Sequence, residues 1–126
     1  MNQTILIISD DIIFSQLFTT YIEKERMDIS IIKCDNYLRI DEIMDGSLIR
    51  LVFIDGNIST LSSIEVTRYL RIYKKIFAPI WFFAEIVTES YIYKVNEMGA
   101  TRIIYKPFDP YEIFKEFDVI FEKATI

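Results

Sequence analysis

The sequence predicts an α/β protein, a doubly wound parallel sheet of five strands flanked by five helices. Three observations predict it. Short apolar runs of strand length recur five times along the 126 residues. Stretches with helical spacing separate them. Polar side chains with chemical potential stand at the carboxyl ends of the runs, where open parallel sheets bind ligands. A chain of this length fits one compact domain and can bury a core without covalent staples.

With three glycines and three prolines, punctuation is sparse and periodicity carries the assignment. Thr4–Ser9 is an Ile-rich run of the kind expected of a fully buried strand. Asp10 and Asp11 follow at once, and Phe14, Leu17, Phe18 and Tyr21 then have helical spacing up to the charged run Glu23–Arg26. Asp28–Lys33 is the second strand, and Tyr37–Met44 a short helix closed by Asp45-Gly46. Leu51–Ile54 is the third, ending at Asp55. Ile64–Lys75 is amphipathic, with Val66, Tyr69, Leu70 and Tyr73 on one face. Pro79 opens a fourth strand through Phe83, and Thr88–Met98 is helical up to Gly99. Arg102–Tyr105 is the fifth strand, followed by Lys106-Pro107. Asp109 or Pro110 starts the last helix, with Ile113, Phe117, Ile120 and Phe121 spaced for burial. No internal repeat, linker or low-complexity segment interrupts the pattern.

Composition narrows the function. Hydrophobic residues at 52% and charged residues at 26% exclude a disordered tail and a coiled coil. Apolar stretches such as Leu51–Ile54 and Phe77–Ala84 are too short to cross a bilayer. Ile5–Ile8 has neither a basic lead-in nor a small-residue cleavage site. A soluble, cytoplasmic protein without membrane insertion is expected. The net charge of −5 argues against nonspecific attraction to nucleic acid. The single Cys34 cannot form an internal disulfide and suits a packing role. With no histidine, Ser-His-Asp and Cys-His catalysis are excluded and zinc is disfavoured. Any chemistry must run on carboxylates, lysines, hydroxyls and bound metal.

Strand one ends in Asp10 and Asp11, strand three in Asp55, and strand five in Lys106. Strands one and three of an open parallel sheet usually neighbour each other across the switch point, so three carboxylates are expected to converge beside a lysine. Like charges so close repel unless a cation compensates. Mg²⁺ suits a few carboxylates completed by waters and a phosphate. A carboxylate so supported can attack phosphorus and form an acyl phosphate. Taken singly, Asp10 or Asp11 could cap the first helix, Asp55 could be a loop carboxylate and Lys106 a solvated side chain. All four at one edge of the sheet favour a site.

At these positions the sequence resembles the receiver domains of bacterial response regulators, most closely the single-domain kind used in chemotaxis. The matching segments are Ile5-Leu6-Ile7-Ile8-Ser9-Asp10-Asp11, Leu51-Val52-Phe53-Ile54-Asp55 and Ile103-Ile104-Tyr105-Lys106-Pro107-Phe108. Their order and spacing fit across essentially the whole chain. The resemblance implies a flavodoxin-like receiver fold with strand order 2-1-3-4-5, residues 1–126 forming one receiver domain. It implies two-component signal transduction, with Asp55 accepting phosphate from a sensor histidine kinase, a phosphotransfer protein or a small phosphodonor. Asp11 would ligate Mg²⁺ directly, Asp10 largely through water, and Asn57 through its backbone carbonyl. Lys106 would pair with the phosphoryl group, and the Lys106-Pro107 peptide is often cis in the family. No enzymatic activity is implied beyond self-phosphorylation and self-dephosphorylation, and a downstream protein partner is.

Two departures from the family pattern concern the switch. Receivers usually carry Thr or Ser at the end of strand four; here Pro79-Ile80-Trp81-Phe82-Phe83 leads to Ala84, which has no hydroxyl. Losing a hydrogen bond to a charged group forfeits about 1.5–3 kcal/mol, comparable with the coupling of an ordinary allosteric switch. The aromatic switch position, three residues before the lysine, holds Ile103. Tyr105 is nearby, and strand alternation puts it on the face of Ile103 without the same role. Glu85 follows Ala84 where a small residue is usual, and the loop Asn57–Ser63 lacks the usual proline and glycine.

Two functions of one fold compete: a phosphorylatable, Mg²⁺-binding receiver acting by protein contact, and a phosphorylation-independent pseudo-receiver serving as a docking module. Tyr91, Tyr93, Tyr105, Phe108, Tyr111 and Phe114 lie where receivers commonly bind partners, and about half are expected in the core. Homodimer formation stays open. A haloacid-dehalogenase-type phosphatase would need a second Asp where this chain has Asn57, and its nucleophile after the first strand. A flavodoxin would need a hydroxyl- and glycine-rich phosphate loop in place of Asp10-Asp11.

Overall fold

All five expected strands form, with ends displaced by one or two residues at most. They are β1 (Gln3–Ile8), β2 (Ile29–Cys34), β3 (Ile49–Asp55), β4 (Ile80–Ala84) and β5 (Arg102–Tyr105). The structure is a computed structural model that describes residues 3–35, 39, 49–56, 63–85, 88–97 and 99–121. Among these residues the helices are α1 (Ile12–Glu25), α2 (Ser63–Arg68), α3 (Glu89–Glu97) and α4 (Pro110–Ile120). Apart from Arg39, the expected helix Tyr37–Met44, its Asp45-Gly46 stop and Asn57 lie outside the described residues.

The strands form one sheet in the order β2-β1-β3-β4-β5, and every neighbouring pair is parallel. This is the doubly wound, flavodoxin-like order, with its switch between β1 and β3. The strands read as unbroken apolar runs because both faces are covered. Ile5 and Ile7 face a core with Phe14, Phe18, Phe53, Phe83 and Phe117, while Leu6 and Ile8 face one with Val52, Ile54, Val66, Leu70 and Phe82. The first layer is held by edge-to-face rings, such as Phe18 on Phe53 at 4.8 Å and Phe14 on Phe83 at 5.0 Å. Cys34 is buried in the second layer, a packing residue as expected.

Two helix starts follow their sequence signals. Asp11 caps α1, accepting from the Ile13 and Phe14 backbone N–H groups, and Asp109 caps α4 by accepting from Tyr111, with Pro110 opening the helix. The segment Ile64–Lys75 departs from expectation. After α2 the chain widens into a π-helical turn over Tyr69–Tyr73, in which Lys74 N–H donates to the Tyr69 carbonyl at 3.1 Å. The wider turn rotates the following residues around the axis. Val66 and Leu70 stay buried, but Tyr73, expected on the same face, is 73% exposed. Arg71 closes this end, donating to the carbonyls of Ile76, Ala78 and Gly99 at 2.7–3.2 Å. Its burial lowers the guanidinium pKa from the ordinary value. Among the described residues no helix is long and apolar enough to cross a membrane.

Candidate functional site

The register of the sheet assembles the site. Ile8 of β1 lies opposite Ile54 of β3, so the next residues, Ser9 and Asp55, meet at the carboxyl edge. Asp55 lies opposite Phe83 of β4, and Ala84 opposite Tyr105 of β5. Beyond the last pair, Lys106 N–H donates to the Ala84 carbonyl at 2.8 Å, and the Lys106-Pro107 peptide is cis.

Asp55 is the centre of the constellation, 1% exposed at the end of β3. Lys106 Nζ lies 2.5 Å from its Oδ1, and Ser9 Oγ donates to its Oδ2 at 2.7 Å. A buried carboxylate needs such compensation, since an isolated charge there would be strongly destabilising. The Lys106 ammonium also sits 5.1 Å from the centroid of the Phe14 ring, a cation–π contact from the first turn of α1. Gly56 keeps the strand end tight. Its N–H donates to the Phe83 carbonyl at 2.6 Å, and a Cβ there would meet that same oxygen at 2.6 Å.

The acidic pair has a divided role. Asp10 and Asp11 are exposed at the same edge and, with Ser9, border an open cleft that also touches Lys33, Asp35 and Arg39. Asp11 Oδ1 accepts from Ile13 N–H at 2.9 Å and Phe14 N–H at 3.4 Å, so the helix-capping alternative holds for this oxygen. Among the described residues, no three acidic, histidine or cysteine side chains are grouped to hold a metal ion. The cap occupies Asp11 Oδ1, and Ser9 and Lys106 occupy the two oxygens of Asp55. The donor chemistry still fits Mg²⁺, which takes only one or two protein carboxylates and completes its shell with water and phosphate. A carboxylate oxygen with one hydrogen bond keeps further accepting capacity.

Ala84 is buried at the end of β4, and Ile103 packs half-buried against the aliphatic core. Tyr105 is 55% exposed and Glu85 is exposed. Of the late aromatics, Tyr93, Tyr105 and Tyr111 are exposed, whereas Phe108 and Phe114 join the aromatic core; the side chain of Tyr91 lies outside the described residues. Ser9 is the residue beside Asp55 that sequence reasoning passed over. A hydroxyl at the end of an otherwise apolar buried strand was its signal.

A buried aspartate paired with a lysine, beside an acidic pair at the switch edge of a 2-1-3-4-5 sheet, defines a doubly wound α/β protein of the receiver class. The family profile described as the response regulator receiver domain matches residues 5–118, and the chain belongs to that family, the receiver domains of two-component systems. No curated protein matches the chain significantly. Among solved structures it is similar to the Vibrio cholerae chemotaxis protein CheY4, with a TM-score of 0.80 and 16% identity over 95% of this chain and 99% of that one. A two-component response regulator from Clostridium difficile superposes with a TM-score of 0.80 and 20% identity, covering 94% and 95%. The N-terminal signal receiver domain of a Bacteroides fragilis response regulator gives 0.74 and 15%, covering 98% and 100%. Likenesses at these identities bear on the fold alone.

Proposed function

We propose that residues 1–126 form a single, working receiver domain in which Asp55 accepts a phosphoryl group with Mg²⁺ support. The observation that carries this reading is the 2.5 Å contact between Lys106 Nζ and Asp55 Oδ1, made at the same sheet edge as Asp10 and Asp11. An Asp55 oxygen attacks the phosphorus of the donor. A new P–O bond forms as the donor's own bond to phosphorus breaks, and the donor leaves with that electron pair. Lys106, already beside the nucleophile, moves onto the arriving phosphoryl oxygens and keeps its charge paired. Asp11 and Asp55, Asp10 through water and the Asn57 carbonyl would hold Mg²⁺, which supplies further neutralisation of the phosphoryl charge.

The donor is a sensor histidine kinase or phosphotransfer protein, with small phosphodonors as substitutes. The output is contact with a downstream protein in the cytoplasm, neither direct binding of nucleic acid nor catalysis of an external substrate. Exposed apolar residues support a contact role: Ile12 and Ile13 on α1 and Tyr111 on α4 line one open groove. A second reading, the phosphorylation-independent pseudo-receiver, is favoured by Ala84, which offers no hydroxyl to a phosphoryl oxygen.

The deciding experiment is intact mass after incubation with acetyl phosphate and Mg²⁺, beside an EDTA control and Asp55→Asn. A metal-dependent gain of one phosphoryl group, absent from the variant, is the expected result. No gain under conditions that label an ordinary receiver would leave the pseudo-receiver standing.

A further inference from the structure

Ser9 is a polar residue inside a buried run, 6% exposed, and both hydrogen bonds of its hydroxyl stay within the site. Its Oγ accepts from Asp11 N–H at 3.0 Å and donates to Asp55 Oδ2 at 2.7 Å. A hydroxyl has one proton to give. With the Asp11 N–H on its lone pair, that proton is directed at Asp55.

The two Asp55 oxygens are thereby made unequal. Oδ2 is engaged in the buried bond to Ser9, while Oδ1 meets Lys106, whose ammonium is the partly exposed member of that pair. A phosphodonor approaching from the Lys106 side meets Oδ1, which leaves Oδ2 as the carbonyl oxygen of the acyl phosphate.

We propose that Ser9 is a catalytic residue of dephosphorylation, donating a hydrogen bond to Asp55 Oδ2, the oxygen that shares the charge returned to the carboxylate when the acyl phosphate breaks. The proposal rests on the reading of Asp55 as phosphoacceptor. In the step, a water oxygen bonds to phosphorus while the bond from phosphorus to Asp55 Oδ1 breaks. The bonding pair returns to Asp55 as a carboxylate, and the water's proton leaves with inorganic phosphate or passes to solvent. The restored charge spreads over both oxygens, so the bond from Ser9 strengthens as the reaction proceeds. A donor placed where charge develops favours the transition state and the carboxylate over the acyl phosphate. Lys106 cannot take this role, because it stands at Oδ1 and turns to the phosphoryl oxygens.

The test labels the full chain with acetyl phosphate and Mg²⁺, removes the donor by rapid desalting, and follows loss of the phosphorylated mass. The margin between hydrogen bonds to charged and to neutral acceptors corresponds to about a fivefold change in rate. Ser9→Ala is expected to decay about fivefold more slowly than the parent and to reach a higher labelled fraction at steady state. Ser9→Thr, which keeps a hydroxyl, decays close to the parent rate. General damage to the site would instead slow labelling and decay together without raising the labelled fraction. That outcome, or an unchanged decay in Ser9→Ala, overturns the role of Ser9 while leaving Asp55 as phosphoacceptor. No label on the parent protein overturns both. Circular dichroism checks that each variant is folded; if Ser9→Ala is not, Ser9→Cys, a weaker donor, is measured in its place, with slowed decay expected and parental decay contrary.

Discussion

Lys106 Nζ reaches Asp55 Oδ1 at 2.5 Å although their strands are not neighbours: β4 lies between β3 and β5. Adjacent strands are spaced about 4.8 Å apart, so the lysine stem must cross the end of β4 to make the contact. The residue at that end is Ala84. A small side chain at the crossing suits the direct lysine–aspartate pair, and Ala84 carries no hydroxyl.

Asp55→Asn separates chemistry from folding. The amide keeps an oxygen to accept from Ser9 but cannot match the Lys106 charge. Phosphate uptake is expected to vanish in intact-mass spectra. Stability should fall by about 1–3 kcal/mol, the range for disturbing a buried hydrogen bond. The far-UV circular dichroism spectrum stays that of a folded α/β domain. Persistent labelling of this variant would sink the assignment.

Ala84→Thr restores the hydroxyl at the end of β4. The side chain must point toward the space beside Gly56, since the Ala84 Cβ already lies 3.4 Å from where a Gly56 Cβ would stand. The expected outcome is a stronger conformational response to a phosphate mimic, by up to about 1.5–3 kcal/mol of added coupling. Backbone amide chemical shifts measured with and without the mimic read this directly. An unchanged response places the loss of coupling elsewhere, with Ile103 the next candidate.

Gly56→Ala tests how tightly the strand end is built. The added Cβ would sit 2.6 Å from the Phe83 carbonyl oxygen and 3.3 Å from the Ala84 Cα, and backbone cannot swing away as a side chain can. A destabilisation of about 1–3 kcal/mol is expected from urea unfolding. Labelling of Asp55 should slow as well, because the neighbouring residue carries the displacement.

Much of this architecture was legible because its signals are local. Strands covered on both faces read as unbroken Ile, Leu, Val and Phe runs, and the turn from apolar run to charged residue marked Asp10, Asp11, Asp55 and Lys106 as edge residues. What stayed hidden depends on register. Ser9 meets Asp55 only because Ile8 pairs with Ile54 across β1 and β3, which no one-dimensional pattern specifies. Taken singly, Asp10 or Asp11 could cap the first helix, and only backbone geometry assigns the cap to Asp11 Oδ1. The π-helical turn after α2 escaped because apolar spacing through Leu70 fits an ordinary helix, leaving Tyr73 assigned to the wrong face.

That turn carries the last prediction. Lys75 has a φ of 53°, the left-handed region, in the stretch that ends it. Glycine usually fills such a position after a helix, since a Cβ there is crowded by backbone. This glycine-poor chain uses lysine, and the conformation is held by neighbouring bonds: Lys74 N–H to the Tyr69 carbonyl and Ile76 N–H to the Leu70 carbonyl at 3.0 Å. Replacing Lys75 by glycine relieves about 1–2 kcal/mol of left-handed strain. It also raises the entropy lost on folding by about 0.4–1 kcal/mol. The difference is a net stabilisation of about 0.5–1 kcal/mol, measured as a higher urea midpoint with an unchanged slope. Lys75→Ala, which keeps the Cβ, should not share the gain. Equal midpoints for the glycine and alanine variants would show that the strain is not at this residue.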